Sequence, residues 1–350
     1  MATRILSIQS KQDLAEIFKD LKVDPYGIGI MVPKGMAYCV RLDGLSCVAA
    51  NILKQEMLSA GGDAALPRDV LTGRIKTADC VLIGSLAQLS RLVGKLRKQP
   101  FGLDKLANNI SGALSNYAKQ SLVLAARNYR FRLGKRTHIM GIMNLTPDSF
   151  SGDGLYAKHN DPGFFVEYAR ALVNDGADII DIGGESSRPG AKPVCVKEEL
   201  KRTSGVIKAI AKKIKVPISI DTYKPDVARA ALDNGACIVN DISGLRNNAM
   251  ISTAKEYQAG VVIMHMQGTP LSMQKKPHYG CVTADIIAYL KDRVDAALNA
   301  GVGAENIVVD PGIGFGKTVS DNLELLRNLA DFKVLGLPIL VGTSRKGFIG

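Results

Sequence analysis

PISIDTYKPDVARAALDNGACIVND, residues 217–241, holds the pattern that decides the fold of the second half of this chain. Two short apolar runs, PISID and CIVND, each end in polar side chains, and a stretch of helical period, PDVARAALDNG, lies between them. Short runs that are apolar on both faces predict strands buried in a parallel sheet. The segment therefore predicts a strand–helix–strand unit with polar groups at its strand ends.

The same pattern recurs along the second half of the chain. The other apolar runs are HIMGIMN (138–144), DIIDIG (178–183), GVVIMH (260–265), NIVVD (306–310) and PILVGTS (338–344). Stretches of helical period lie among these runs, at 164–175, 197–214, 225–235, 284–301 and 321–332. This alternation predicts an α/β fold, either a (β/α)₈ TIM barrel or a doubly wound sheet. In both folds functional groups collect at the carboxyl ends of strands, which is where we find Asn144, Asp221, Asn240, Asp310 and Ser344.

The bulk composition excludes several classes of protein. A chain of 350 residues that is 46% hydrophobic can hold two domains with real cores. Its six cysteines show no CxxC spacing, which predicts a reducing compartment rather than a disulfide framework. No secretory signal follows the first residues, and no apolar run approaches the roughly 18 residues that cross a bilayer. We expect a cytoplasmic protein without a membrane partner.

The net charge of +12 raises the question of nucleic-acid binding. The basic residues are spread over predicted helices, as in KAIAKKIK (208–215), and the chain has no Trp. Nucleic-acid binding proteins instead concentrate their positive charge in one stripe or patch. The charge therefore favours attraction of small anionic substrates over a nucleic-acid partner.

The first part of the chain has a different pattern and predicts a separate, smaller α/β domain over 1–128, ahead of a barrel domain over 129–350. Predicted strands lie at 4–10, 26–32, 37–43 and 79–84, and predicted helices at 11–23, 49–62, 86–99 and 103–128. YRFRLGKR (129–136) predicts a short strand or hairpin that closes the floor of the barrel. The role of this domain stays open, with contact in a homodimer and support of active-site loops as alternatives.

PGIGFGKT (311–318) comes close to a phosphate-binding P-loop, because it follows a strand, precedes a helix and ends in Gly316, Lys317 and Thr318. However, Pro311 occupies the position of the first glycine of that motif. Proline has no backbone N–H and cannot adopt the φ angles that glycine supplies there. We therefore expect no nucleotide hydrolysis at this loop.

Seven motifs in the second half resemble those of dihydropteroate synthases. They are GIMNLTPDSFSGDG (141–154), DIIDIGGESSRPG (178–190), SIDTYKP (219–225), VNDISG (239–244), MHMQGTP (264–270), DPGIGFGK (310–317) and GTSRKGFIG (342–350). The resemblance implies a pterin-binding (β/α)₈ barrel. It also implies condensation of 6-hydroxymethyl-7,8-dihydropterin diphosphate with p-aminobenzoate, which gives 7,8-dihydropteroate and pyrophosphate for folate biosynthesis.

The resemblance assigns the pterin pocket to Asp221, Asn240, Asp310 and Lys346, with a hydroxyl from Ser187. These residue types suit a pterin, since carboxylates accept from amino and ring N–H groups, amides do either, and an ammonium donates. Met264 would line an apolar wall of the pocket. The structural alternative for the two aspartates is helix N-capping, because each precedes a helix by a few residues.

The same resemblance assigns the p-aminobenzoate side to Arg188, Pro189, Phe315 and Ser344. Arg188 could pair with the substrate carboxylate or with Asp148. Asn144 is implied as a ligand of Mg²⁺, which takes few protein ligands when it accompanies a diphosphate; its alternative role is to cap a turn. We assign no general base, because an arylamine is already neutral near pH 7, and we expect His265 to support its neighbours by hydrogen bonds.

Two further expectations concern completeness and rival functions. The family has an eighth strand with an Arg-x-His pair. This sequence has neither, so we expect a (β/α)₈ barrel that lacks its eighth strand and helix here, and a sequence that is part of a longer protein. A methyltransferase that takes its methyl group from methyltetrahydrofolate would share the pterin pocket, but would not need the SRPG and SRK elements. A non-catalytic pterin-binding protein is the second rival.

Overall fold

The computed structural model describes residues 2–146, 161–186 and 190–349. The chain divides into two compact units, Met1–Ala118 and Lys119–Gly350. Each unit has its own buried hydrophobic clusters. The candidate site lies in the second unit.

The first unit combines a three-stranded antiparallel sheet with six helices. The strands, in the spatial order β1-β3-β2, are β1 (Ala37–Ser46), β2 (Asp63–Ala65) and β3 (Thr77–Ser85). The helices are α1 (Lys11–Asp20), α2 (Pro25–Gly35), α3 (Cys47–Ser59), α4 (Asp69–Thr72), α5 (Leu86–Leu96) and α6 (Leu103–Tyr117). Leu53, Leu82 and Leu89 are fully buried in its main cluster, which shows that the sheet packs on α3 and α5.

Three predictions for the first unit are wrong. The strand predicted at 26–32 is helix α2, because Pro25 occupies its first turn and the Asp24 side chain accepts from the backbone N–H of Tyr26. The strand predicted at 4–10 does not form, since the described residues 2–9 are neither helix nor strand and Ser10 caps α1. The helix predicted over 103–128 ends at Tyr117.

The second unit is built on a six-stranded parallel sheet in the order β11-β10-β9-β8-β7-β6. Its strands are β6 (Met140–Asn144), β7 (Ile179–Gly183), β8 (Ile218–Asp221), β9 (Ile238–Asp241), β10 (Gly260–Met264) and β11 (Ile307–Asp310). Its helices are α7 (Pro162–Asn174), α8 (Val196–Lys213), α9 (Pro225–Asp233), α10 (Asn248–Tyr257), α11 (Val282–Asn299) and α12 (Val319–Arg327). The short 3₁₀ helices Ala304–Asn306 and Leu329–Leu335 complete it. The predicted α/β class is confirmed.

Six of the seven predicted strands of this sheet are therefore present. The seventh run, at 338–344, forms a single parallel bridge from Ile339 to Val309 rather than a strand. Helix α10 was not predicted, and the helix predicted over 321–332 changes to 3₁₀ geometry after Arg327. Between β7 and β11 every strand is buried on both faces, as a covered parallel sheet requires.

A hairpin of β4 (Leu122–Ala126) and β5 (Tyr129–Leu133) lies at the amino-terminal end of this sheet. Leu124 and Ala126 pack with Ile179, Ile238 and other residues near the strand starts. The predicted hairpin at 129–136 thus exists, although its first strand comes from residues predicted as helix. Because the hairpin packs under the sheet, the division between the units falls at 118/119 and not at the predicted 128/129.

Among the residues that the structure describes, none of the helices is both long and apolar enough to span a membrane.

Candidate functional site

The carboxyl ends of the parallel strands bring the predicted polar residues to one edge of the sheet. In the strand register, Asn144 pairs with Gly183, Gly183 with Asp221, and Asp221 with Asn240. At the other end of the sheet Met264 pairs with Asp310. Asn144, Asp221 and Asp310 are each the last residue of a strand, so all three lie at the carboxyl-terminal edge of the sheet.

Asn240 is oriented by a residue that the sequence analysis missed. Its Nδ2 donates a hydrogen bond of 3.1 Å to Oδ2 of Asp181, which leaves the Asn240 carbonyl oxygen as an acceptor for a ligand. Asp181 is 6% exposed, and burial raises the pKa of its carboxyl group. The available signal was an acid in the middle of the apolar run DIIDIG, where a strand of a covered sheet has little reason to bury a charge.

Asp221 lies in an environment that opposes its ionisation. Burial raises the pKa of Asp221 well above its ordinary value, and the neighbouring carboxyl groups of Asp181, Glu199, Asp241 and Glu185 raise it further. A carboxylate that is desolvated among other acids is stabilised by hydrogen-bond donors. This position therefore favours a ligand that presents amino or ring N–H groups.

Asp310 and Lys346 form the second polar group of the site. Burial raises the pKa of Asp310 to about 6, although the Gly312 N–H, Lys317 and Lys346 all act to lower it. Burial lowers the pKa of Lys346, and Asp310 opposes that shift. The Lys346 ammonium also lies 4.4 Å from the centroid of the Phe315 ring, within the range of a cation–π contact.

An apolar wall connects the two polar groups. Met264, which pairs with Asp310, is buried in a cluster with Ile242, Met266 and Met273. Tyr223, two residues after Asp221, and Phe315 pack against the same cluster. The arrangement is typical of a small-molecule pocket, in which a few polar groups converge beside apolar side chains.

Helix capping does not account for the two aspartates. Lys224 is the N-cap residue of α9, and Thr318 caps α12 with its own side chain. Asp310 instead accepts from the backbone N–H of Gly312 at 2.7 Å. The capping alternative is therefore wrong for both positions.

A buried ionic cluster lies beside Asp221 and extends the site toward the loop after β7. The Lys224 ammonium contacts the carboxylates of both Glu185 and Glu199. Glu199 is 1% exposed and also accepts from Thr222 Oγ1 at 2.7 Å. Glu185 accepts from Tyr223 OH at 2.8 Å. This cluster ties β7, α8 and the residues after β8 together.

The structure locates the remaining predicted residues as follows. Ser344 is exposed and follows the bridge at Ile339. Ser187, Arg188, Pro189 and Asp148 lie outside the described residues, so their predicted roles stay predictions.

The side-chain oxygen of Asn144, at the end of β6, fits the predicted role of a Mg²⁺ ligand. A Cβ atom on Gly183 would lie 3.5 Å from Asn144 Oδ1 and 3.6 Å from Asp221 Oδ2, so glycine keeps the space between these oxygens open. Among the described residues no group of three or more His, Cys, Asp or Glu side chains could hold a metal ion. A single amide oxygen suits Mg²⁺, which usually keeps several waters and needs few protein ligands.

The chain matches known proteins over the unit that holds this site. The family model described as "Pterin binding enzyme" matches residues 140–350. The dihydropteroate synthase of Synechocystis sp. is 47% identical over 221 residues, which cover 63% of this chain and 75% of that protein.

Two further matches differ in extent. A probable bifunctional folylpolyglutamate synthase/dihydropteroate synthase of Halobacterium salinarum is 39% identical over 344 residues, covering 98% of this chain but 41% of its own length. The solved structure of the Xanthomonas albilineans dihydropteroate synthase with 4-aminobenzoic acid aligns with a TM-score of 0.60 and 41% identity, covering 66% of this chain and 81% of that one. The Halobacterium match includes the first unit, whereas the family model matches residues of the second unit alone.

Proposed function

Since this chain belongs to the family of pterin-binding enzymes that includes the dihydropteroate synthases, we propose that it condenses 6-hydroxymethyl-7,8-dihydropterin diphosphate with p-aminobenzoate. The products are 7,8-dihydropteroate and pyrophosphate, in a step of folate biosynthesis. The chain is accordingly a transferase that moves a pterin-methyl group onto an arylamine nitrogen.

We propose that the parallel sheet belongs to a (β/α)₈ barrel. Support comes from six consecutive parallel strands, each joined to the next along the chain, and from a seventh segment that bridges to β11. In such barrels the active site is built at the carboxyl ends of the strands, which is the edge where Asn144, Asp221 and Asp310 lie.

Support for the proposed pterin pocket comes chiefly from one arrangement. Asp221 pairs with Asn240 at neighbouring strand ends, and Asp310, at the end of β11, interacts electrostatically with Lys346. Asp221, Asp310 and the Asn240 carbonyl oxygen would accept from the amino and ring N–H groups of the pterin, and Lys346 would donate to its ring acceptors. Burial raises the pKa of both aspartates, and hydrogen-bond donors of a bound pterin would stabilise their ionised forms.

For the chemical step the chain must hold both substrates and exclude water while pyrophosphate departs. Positive charge that forms on the methylene carbon is shared by the electron-rich pterin ring. Phe315 and Ser344 would orient the arylamine, whose neutral nitrogen attacks that carbon as the bond to the pyrophosphate oxygen breaks. The nitrogen then loses one proton to solvent or to the departing pyrophosphate. His265 stays neutral because burial lowers its pKa to about 3, so we assign it no proton transfer.

Asn144 would hold Mg²⁺ on the diphosphate. When bound, the ion neutralises negative charge on the leaving group.

The experiment that tests the function measures pyrophosphate release and dihydropteroate formation by the full protein that contains this sequence, with and without p-aminobenzoate. We expect both products only when both substrates are present. Asp221→Asn should lower kcat/KM by about 100-fold, since a positioned charged acceptor is lost. Asp233→Asn, at the end of α9 and away from the strand ends, serves as the matched control.

Two outcomes would contradict the proposal. Binding of methyltetrahydrofolate without binding of pterin diphosphate in calorimetry would favour the methyltransferase alternative. Binding of pterin diphosphate without product formation would favour a non-catalytic pterin-binding protein.

A further inference from the structure

Lys317, the lysine of the P-loop-like motif, is buried and 3% exposed. Its Nζ lies 2.8 Å from the carbonyl oxygen of Gly312 and 2.9 Å from that of Phe315. The same atom lies 3.1 Å from Nδ1 of His265 and 3.4 Å from the His265 carbonyl oxygen. An ammonium has three N–H donors, and these acceptors use all of them. None is left for a phosphate group.

The loop Pro311–Thr318, here called the glycine loop, has a shape that needs such a cation. Gly312, Gly314 and Gly316 have φ angles of +69°, +82° and +60°, in the left-handed region that favours glycine. The loop turns the carbonyl groups of Gly312 and Phe315 toward its interior, where unpaired oxygens would be costly. The lysine ammonium pairs with both, much as a bound metal cation would.

The glycine loop also joins the two substrate sides of the site. It begins next to Asp310, whose Oδ1 accepts from the Gly312 N–H at 2.7 Å. Its middle residue, Phe315, donates its own N–H to the Gly312 carbonyl at 3.1 Å and stacks under Lys346. A change in the loop would therefore displace the Phe315 ring first.

We propose, resting on the function above, that Lys317 is a positioning residue whose ammonium holds the glycine loop in the shape that presents Phe315 to p-aminobenzoate. His265 completes this arrangement as a neutral acceptor. The lysine acts through the loop and touches neither substrate.

The charges around Lys317 set the pH range in which its amine is protonated and can play this role. Burial lowers the pKa of Lys317 to about 7, the carboxylates of Asp310 and Asp321 act to raise it, and Lys346 acts to lower it. Burial lowers the pKa of His265, and the positive charges of Lys317 and Arg246 lower it further, so the imidazole stays neutral. The ammonium in turn lowers the pKa of Asp310.

The test compares Lys317→Met, which keeps the length of the side chain but removes its donors, with the wild-type chain. Below about pH 7, where the wild-type Lys317 is an ammonium, we expect the KM for p-aminobenzoate to rise about 10- to 100-fold in the variant, since small displacements in a site cost rates of this order. The affinity for pterin diphosphate at pH 8 should change by less than about threefold, since acceptors within the protein already use the Lys317 donors. The pH below which the affinity for pterin diphosphate falls should be higher in the variant. Asp310 loses a nearby cation, so its pKa rises.

Lys213→Met, at an exposed position on α8, is the control and should change none of these values. The proposal would be overturned if Lys317→Met left unchanged both the KM for p-aminobenzoate and the pH below which the affinity for pterin diphosphate falls. Loss of pterin diphosphate binding at pH 8 with an unchanged KM for p-aminobenzoate would overturn it too, since it would place Lys317 on the diphosphate.

Hydrogen exchange of the glycine-loop amides, measured without substrates, separates this proposal from the proposed function. We expect exchange about tenfold faster in Lys317→Met than in the wild type, with β8 unchanged, because only the loop loses its internal cation. Equal exchange in both proteins contradicts the proposal even if the wild type is an active synthase. Should Lys317→Met not fold, the wild-type loop must lose protection as pH rises through about 7, or the proposal fails.

Discussion

At the scale of single residues, the site holds carboxyl groups that are neither exposed nor directly paired with a cation. Asp310 shows the consequence most clearly, since its pKa is raised to about 6 by burial. A folded-state pKa above the ordinary value of 3.8 means that the native state binds more protons between these two values. The free energy of unfolding therefore falls as pH rises through that window, and above about pH 6 it falls no further on account of Asp310.

Replacing Asp310 by Asn should separate stability from binding. Asn keeps an oxygen for the Gly312 N–H but never ionises, so the free energy of unfolding at pH 8 should rise by up to about 3 kcal/mol. Pterin diphosphate should bind at least about tenfold more weakly, because a charged acceptor is lost. Denaturant unfolding and calorimetry would measure the two effects.

The pH dependence supplies the control for this prediction. Wild-type affinity should weaken below about pH 6, as Asp310 becomes protonated, and the Asp310→Asn variant should lack that contribution. Asp331→Asn, in the 3₁₀ helix Leu329–Leu335, should keep the wild-type profile. Wild-type affinity in Asp310→Asn at pH 8 would be incompatible with a pterin contact at this residue.

At the scale of secondary-structure elements, strands were easier to predict than their neighbours. Each strand of the parallel sheet lies in a short, mostly apolar run. Six such runs were predicted correctly as strands, because they are too short for a buried helix and apolar on both faces. The run at 26–32 has the same composition but is helix α2, since Asp24 and Pro25 start a helix there. A local apolar run therefore predicted a strand correctly in the parallel sheet, but not at 26–32, where local helix-starting residues are present.

The ionic cluster after β7 and β8 gives a prediction at this scale. Lys224→Met leaves the carboxylates of Glu185 and Glu199 facing each other without their cation, and Glu199 is 1% exposed. We expect a loss of about 3–5 kcal/mol in the free energy of unfolding, as for other broken buried pairs. Denaturant unfolding followed by circular dichroism would measure it.

The matched control removes a lysine from an exposed pair. Lys291 pairs with Asp295 at 2.5 Å, with about half of each side chain exposed. Lys291→Met should change stability by less than about 1 kcal/mol, because solvent screens such pairs. Similar losses in the two variants would show that the Lys224 cluster contributes no more than a surface contact.

At the scale of the whole molecule, the chain consists of two units with separate cores. Leu53 is fully buried in the first unit, and Ile220 is fully buried in the second, next to Asp221. Leu53→Ala should destabilise its own unit by about 2–5 kcal/mol, the usual cost of a large cavity. Because its core is separate, pterin diphosphate affinity should stay at the wild-type value.

Ile220→Ala is the corresponding change in the second unit. It should cost a similar free energy but also weaken pterin binding, because the cavity would form directly under the strand end that carries Asp221. Thermal unfolding and calorimetry on both variants would test the division. Equal losses of binding in the two variants would contradict two independent cores.

The sequence by itself determined the α/β class, most strands of the parallel sheet and the position of Asn144, Asp221, Asn240 and Asp310 at or next to strand ends. These were accessible because apolar runs and the polar residues that end them are local patterns, and parallel strands bring such ends to one edge. Only the tertiary structure decided that Asp181 orients Asn240, that Lys317 lies inside the glycine loop, and that the residues after Ala118 pack under the sheet. Each of these depends on contacts between residues distant in the sequence. The pairing of buried charges depends on the same tertiary contacts, so a local sequence pattern does not predict it.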